Sequence, residues 1–138
     1  MADTGAHWSA WGAMLKGGSA WSADAITDTS TENGDAVSLD MKVGCEVGLL
    51  IAGGAGTVAA AGITIRVLRD GGDGTNYETL QSAPWSFTFL PVASTSLYKS
   101  FFIDPIAMGS FKLEIFNDSD VTVTITATYR TATIPAAS

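Results

Sequence analysis

The stretch from Phe111 to Ile134, FKLEIFNDSDVTVTITATYRTATI, constrains the fold more than any other part of the chain. Phe111, Leu113 and Ile115 alternate with Lys112 and Glu114, the period-two pattern of a half-buried strand. After the turn-forming run Asn117-Asp118-Ser119-Asp120, the alternation resumes. Val121, Val123, Ile125, Ala127 and Tyr129 fall on one face, and Thr122, Thr124, Thr126, Thr128 and Arg130 on the other. A helix would scatter these apolar residues around its circumference and restrict the β-branched side chains. The stretch is therefore expected to form a β-hairpin. Its apolar face needs a second sheet to cover it, while the threonine-rich face is left for solvent or a partner.

The same alternation recurs upstream. Val37, Leu39 and Met41 predict one strand, Cys45, Val47, Leu49 and Ile51 a second, and Ile63, Ile65 and Val67 a third. Gly53-Gly54-Ala55-Gly56 turns the chain between the second and third. Asp70 to Glu78 (DGGDGTNYE) is a turn-rich loop, in which glycines allow positive φ and Asp and Asn side chains satisfy nearby backbone groups. Trp85, Phe87 and Phe89 alternate with Ser86 and Thr88, and Leu97 to Ile103 (LYKSFFI) supplies the strand before Asp104-Pro105. With the closing pair this makes about eight short strands, the count of an antiparallel β-sandwich, jelly-roll-like in organisation. Phe87, Phe89, Phe101, Phe111 and Tyr129 are expected in the core, and Ile63, Val67, Leu113, Val123 and Ile125 with them.

Length and charge narrow the functional classes. The 138 residues suit one domain with some excess, and the excess sits at the N-terminus. Hydrophobic residues make up 46% of the chain and charged residues only 15%, so much of the surface is neutral or covered by neighbours. With 7 Lys and Arg against 14 Asp and Glu, and no basic cluster, a nucleic-acid partner is not expected. A single cysteine, Cys45, makes no intrachain disulfide and is expected to be a small buried hydrophobe. Met-Ala-Asp-Thr-Gly lacks the basic start and apolar core of a secretion signal, so synthesis in the cytoplasm is expected. The uncharged stretch Val47 to Ile65 approaches the length of a membrane span. Its glycines and the strand alternation at both ends instead predict two buried strands joined by a small-residue loop, with no membrane partner.

Residues 1–34 show no sustained alternation and read as an irregular N-terminal arm preceding a sandwich over residues 35–138. Trp8, Trp11 and Leu15 have the spacing of one short amphipathic helical turn, ended by Gly17-Gly18. Trp8, Trp11 and Trp21 are the candidate partner-binding residues, because tryptophans are costly to leave in water and anchor interfaces well. The arm either packs on its own domain or reaches to another subunit.

Motifs that carry chemistry are thin. Asp70, Asp73, Asn76 and Glu78 offer oxygen ligands for Ca²⁺ but lack the EF-hand spacing, and a tight turn without metal is expected. Glu46, Glu78 and Glu114 are available carboxylates with no spacing that selects a hydrolytic pair. No Gly-x-Ser-x-Gly elbow occurs, the sole histidine, His7, lies in the arm, and the glycine-rich runs lack the Lys-Ser/Thr of a phosphate loop. Neither catalytic activity nor a cofactor is expected. Trp85, Tyr77 and Tyr98 would make a sugar-binding platform if they shared one face.

The runs AGITIRVLRDGGDGTNYETL, SFTFLPVASTSLYKSFFIDP and FNDSDVTVTITATYRT resemble, in their short Thr-rich strands and DGTNY turn, the small jelly-roll or β-sandwich virion proteins of tailed bacteriophages. The resemblance covers roughly residues 35 to 134. It implies a structural virion protein made in the host cytoplasm: a capsid decoration or cement protein that binds the major capsid protein lattice, as a homo-oligomer, trimer or dimer. The alternatives are a tail, baseplate or fibre component and, from another class, a carbohydrate-binding module.

Overall fold

The computed structural model describes residues 5–70, 76–78, 85–105 and 109–134. The described chain is all-β, and no helix in it is long and apolar enough to cross a membrane. The expected strands after Gly44 are all present: β8 (Gly44–Gly53), β9 (Ile63–Arg69), β10 (Trp85–Phe89), β11 (Ser96–Ile103), β12 (Ser110–Asn117) and β13 (Val123–Thr133). Before them lie seven short strands: β1 (His7–Trp8), β2 (Gly12–Ala13), β3 (Leu15–Lys16), β4 (Ser19–Ala20), β5 (Asp24–Ile26), β6 (Thr31–Asn33) and β7 (Val37–Ser38).

Among the described residues β3 and β4 pair with each other as a separate hairpin, and the other eleven strands form two packed antiparallel sheets. One runs β13-β8-β11, with β1, β2 and β5 along the far edge of β13; the other runs β10-β9-β12, with β6 and β7 along the far edge of β12. Taking β5 as the first strand, the orders β5-β13-β8-β11 and β6-β12-β9-β10 are those of a jelly roll, in which successive strands mostly change sheet. Period two supplies the core. Cys45, Val47, Leu49 and Ile51 of β8 and Val123, Ile125 and Ala127 of β13 face Ile63, Ile65 and Val67 of β9 and Phe111, Leu113 and Ile115 of β12, all buried.

Four expectations are corrected. First, the closing stretch is not a hairpin. β12 pairs with β9 in one sheet and β13 with β8 in the other, so the turn carries the chain across the core. Asn117, fully buried, holds that crossing: its Nδ2 donates to the carbonyls of Ile26 and Val121 (both 2.8 Å), and its Oδ1 accepts from the N–H (3.0 Å) and hydroxyl (2.6 Å) of Ser119. Second, residue 34 does not separate an arm from the sandwich. β5 and β6, within residues 24–33, are the first two jelly-roll strands, and Met14 and Trp21 are in the core, Trp21 only 1% exposed. The stretch from Trp8 to Leu15 gives extended pieces rather than a helical turn, because Trp8 and Gly12-Ala13 pair with β13 and Leu15 pairs with β4. Third, the alternation Val37-Leu39-Met41 stops early. The chain turns at Asp40-Met41, where Met41 takes φ 61 and is 85% exposed. Fourth, of the expected core aromatics only Phe111 is fully buried; Phe87, Phe89, Phe101 and Tyr129 are half-buried against the core.

The glycine loop works as expected, for a steric reason. A Cβ on Gly53 would lie 2.2 Å from the Val92 carbonyl oxygen, and one on Gly54 2.7 Å from that of Thr122, so backbone passes backbone where no side chain fits. Lys16 joins the β3–β4 hairpin to the sheet edges through ion pairs with Asp24 of β5 and with Glu32 of β6, the latter at 2.9 Å.

Candidate functional site

Among the described residues, the carboxylates and the cysteine singled out from the sequence lie in separate places. Glu46, Glu114 and Glu78 are each taken up by an arginine: Arg130 (2.8 Å), Arg66 (3.2 Å) and Arg69 (2.8 Å) respectively. The first two pairs sit directly opposite each other across strands, in different sheets. Cys45 is fully buried, and burial, with a smaller contribution from Glu46, pushes its thiol up to about 11, which suits an inert core residue. In the loop that offered oxygen ligands, expected to be a turn without metal, Asp70 accepts from the Ser110 hydroxyl (2.8 Å), and both oxygens of Glu78 are bonded to Arg69. Asp73 lies outside the described residues.

Trp85, Tyr77 and Tyr98 occupy three separate places. Trp85 faces inward from β10, opposite Val67. Tyr77 packs under Lys112, whose Nζ is 4.5 Å from the ring centroid, on the outside of the β12 sheet. Tyr98 is 59% exposed on the outside of the β8 sheet. They form no common platform.

A different set of aromatics does share a face. On the outer side of the six-stranded sheet, register places Trp8 beside Ala132 and Gly44, Arg130 beside Glu46 and Phe102, and Tyr98 beside Leu50 and Thr126. Glycines at two of the outward positions of β8 make room: the Trp8 ring lies over Gly44 and the Tyr98 ring over Gly48, at distances that a Cβ would crowd. Trp8 meets Phe102 edge-on, centroids 6.1 Å apart at 63°. The Arg130 guanidinium sits 4.7 Å from the Trp8 ring centroid and 4.9 Å from that of Trp11, held there by its bonds to Glu46. The result is an exposed patch of Trp8 (41%), Trp11 (41%), Phe102 (68%), Tyr98 and Leu50 around one oriented arginine. Trp8 and Trp11 are singled out by residue type, and the structure places both on this face. Arg130 and Phe102 are not, although in a strand Phe101 and Phe102 must point to opposite faces, so one of them had to face outward.

A concavity of about 220 Å³ opens between β10 and β11 and is lined by Val67, Trp85, Ser86, Phe87, Phe101, Phe102 and Ile103. Phe87 and Phe101 meet edge-on across it, 5.1 Å apart.

No protein-family profile matches the chain, and no curated protein matches it. Solved structures resemble it in fold. A chain of the T13 infectious bursal disease virus particle superposes with a TM-score of 0.52 at 12% identity, covering 82% of this chain and 29% of that one. A family 4 carbohydrate-binding module (TM-score 0.47, 14% identity, 96% and 79% covered) and the xylan-binding module CBM15 (TM-score 0.46, 14% identity, 96% and 93% covered) are also similar. The chain thus spans under a third of the length of the viral chain it resembles. The architecture these likenesses share with this chain is the β-sandwich.

Proposed function

We propose that the chain is a structural virion protein, a capsid decoration or cement protein that docks on the major capsid protein lattice through the outer face of its six-stranded sheet. The observation that carries this reading is the exposed patch of Trp8, Trp11, Phe102 and Tyr98 around Arg130. Trp, Tyr and Arg are the residue types that dominate protein interfaces, and here their geometry is fixed before any partner arrives. The texture shared with phage virion proteins and the jelly-roll strand order support the same reading. A tail, baseplate or fibre location would use the same face. A carbohydrate ligand is less well served, because one face of the Trp8 indole rests on Gly44 and Arg130 also packs on its ring, leaving less of it for a sugar to stack on.

The protein is then made in the host cytoplasm and ends in the virion. Deleting residues 1–22 would remove Met14 and Trp21 from the core, so the test uses point variants. The Trp8→Ala/Trp11→Ala chain should melt cooperatively near the parent and lose retention on purified particles. Anchors of about 2 kcal/mol each predict a loss of hundreds-fold or more in affinity. Undiminished decoration by this variant would sink the reading. Labelling the chain on particles separates head from tail.

A further inference from the structure

The two sides of the sandwich end differently. On one side β1, β2 and β5 run along β13, and β6 and β7 along β12. On the other, β10 and β11 are the last strands of their sheets, and among the described residues β11 pairs only with β8. The direction of its unpaired groups follows from the register. The Gly53 N–H donates to the Thr95 carbonyl (2.9 Å), and the ladder continues from Ser96 opposite Ala52 to Ile103 opposite Cys45. Narrow and wide pairs alternate in an antiparallel ladder. Leu97, Lys99, Phe101 and Ile103 therefore turn their backbone groups to β8, while Ser96, Tyr98, Ser100 and Phe102 turn theirs to the free edge.

Such an edge is normally blunted by shortness, proline, a bulge or inward charge. β11 is 8 residues long, contains no proline and keeps an unbroken register with β8, so of these devices it has one, the inward Lys99, whose Nζ lies 5.9 Å from the Phe87 ring centroid. It holds no carboxylate, so two copies of a chain with formal net charge -7 can meet there without acid facing acid.

We infer that β11 is a self-association strand: two copies pair antiparallel about a twofold axis through Ser100, joining their six-stranded sheets into one. The axis is selected by side chains. An axis through Lys99 would set like charges directly opposite, which destabilises the pair. The axis through Ser100 instead sets Tyr98 opposite Phe102 of the second copy, twice, and Lys99 opposite Phe101. It also matches outward-facing residues with outward-facing residues, giving about six main-chain hydrogen bonds, two for each of three narrow pairs. Tyr98 and Phe102 are 59% and 68% exposed in the single chain. Only the exposed part of these four aromatic side chains, together with two strand edges, is available to bury, so the buried total stays at or below about 1,000 Å². That is at the lower limit for a specific interface, so the dimer is weak and dissociates on dilution. The dimer shares Tyr98 and Phe102 with the aromatic patch but rests on the β11 edge, not on what that patch binds.

Sedimentation velocity of the full chain, across concentrations from about 0.1 to several hundred micromolar, should show a reversible monomer–dimer equilibrium. Ser100→Pro removes an outward N–H without touching the ladder to β8, so it should keep cooperative melting and weaken dimerisation by more than about tenfold. Ser100→Cys should cross-link into a covalent dimer under mild oxidation, since residues facing each other across a narrow pair fall within disulfide reach, whereas Ser96→Cys should not. A chain that stays monomeric throughout would overturn the inference, as would a dimer unaffected by Ser100→Pro or cross-linking that favours Ser96→Cys.

Discussion

Replacing Asn117 by alanine tests the crossing between the two sheets, because the hairpin and crossing arrangements demand different costs. In a hairpin this residue would sit in an exposed turn, and its loss would cost a few tenths of a kcal/mol. In the jelly roll its amide is fully buried and makes four hydrogen bonds, to Ile26, Val121 and, twice, Ser119. Each such bond contributes about 1 kcal/mol net, and a buried group left without a partner adds about 1–3 kcal/mol. Val121 keeps a second donor, the Ser119 hydroxyl at 3.2 Å, so the larger part of the cost falls on the bonds to Ile26 and Ser119. The expected loss is about 3–5 kcal/mol, a large share of the stability of a domain this size and a fall in midpoint of about 10–20 °C. Asn117→Asp should be at least as damaging, because a carboxylate oxygen would replace the donor between two carbonyls. Asp118→Ala next door is the control. Urea titrations should give a lower midpoint with unchanged slope. A loss below about 1 kcal/mol for Asn117→Ala would refute the argument.

Two further outcomes are expected. Gly53→Ala should destabilise by about 1–3 kcal/mol or more, since its Cβ meets fixed backbone at 2.2 Å, while Gly48→Ala, which meets side chains, the Tyr98 hydroxyl at 2.5 Å and Thr128 Oγ1 at 3.1 Å, should cost less; equal costs in parallel melts would contradict this. Glu78 is held below its ordinary value of 4.5, chiefly by its side-chain bonds to Arg69. A depressed carboxylate stabilises above its unfolded pKa and loses that contribution as pH falls through the folded one, so the parent should lose stability more steeply below about pH 4.5 than Glu78→Gln. Parallel acid-melting curves would count against it.

The period-two strands from Gly44 onward could be read directly, since each buries several alternating side chains and the pattern repeats over five or more residues. The pairing could not, because a strand alternates in the same way whether its neighbour in sequence lies beside it or across the core. That is why Phe111–Ile134 reads as a hairpin and folds as two strands of opposite sheets. The strands within residues 24–33 left no trace for another reason: β5 has three residues and buries one, Ile26, too few for a period. The site was half legible. Trp8 and Trp11 stood out by type, but Arg130 joins them only because β1 and β2 both run along β13, and Phe102 only because β8 bridges β13 to β11. Trp21, alike in type, went to the core, where Gly34 leaves space beside its ring.

The edge pairing and the aromatic face, if both hold, have a joint consequence. A twofold axis through Ser100 perpendicular to the sheet leaves both outer faces pointing the same way, so the two patches of Trp8, Trp11, Phe102 and Tyr98 lie on one continuous surface. A partner lattice would then be gripped by two patches with fixed spacing, and the second contact becomes intramolecular, raising retention by about 10²–10⁴ without any new contact type. The two proposals therefore separate in one experiment. Ser100→Pro leaves the patch intact and should be retained on particles about as weakly as a single patch allows, whereas Trp8→Ala should weaken retention while the dimer still sediments as one. If the Ser100→Pro monomer is retained as firmly as the parent, the second patch plays no part in binding, whatever the dimer does in solution.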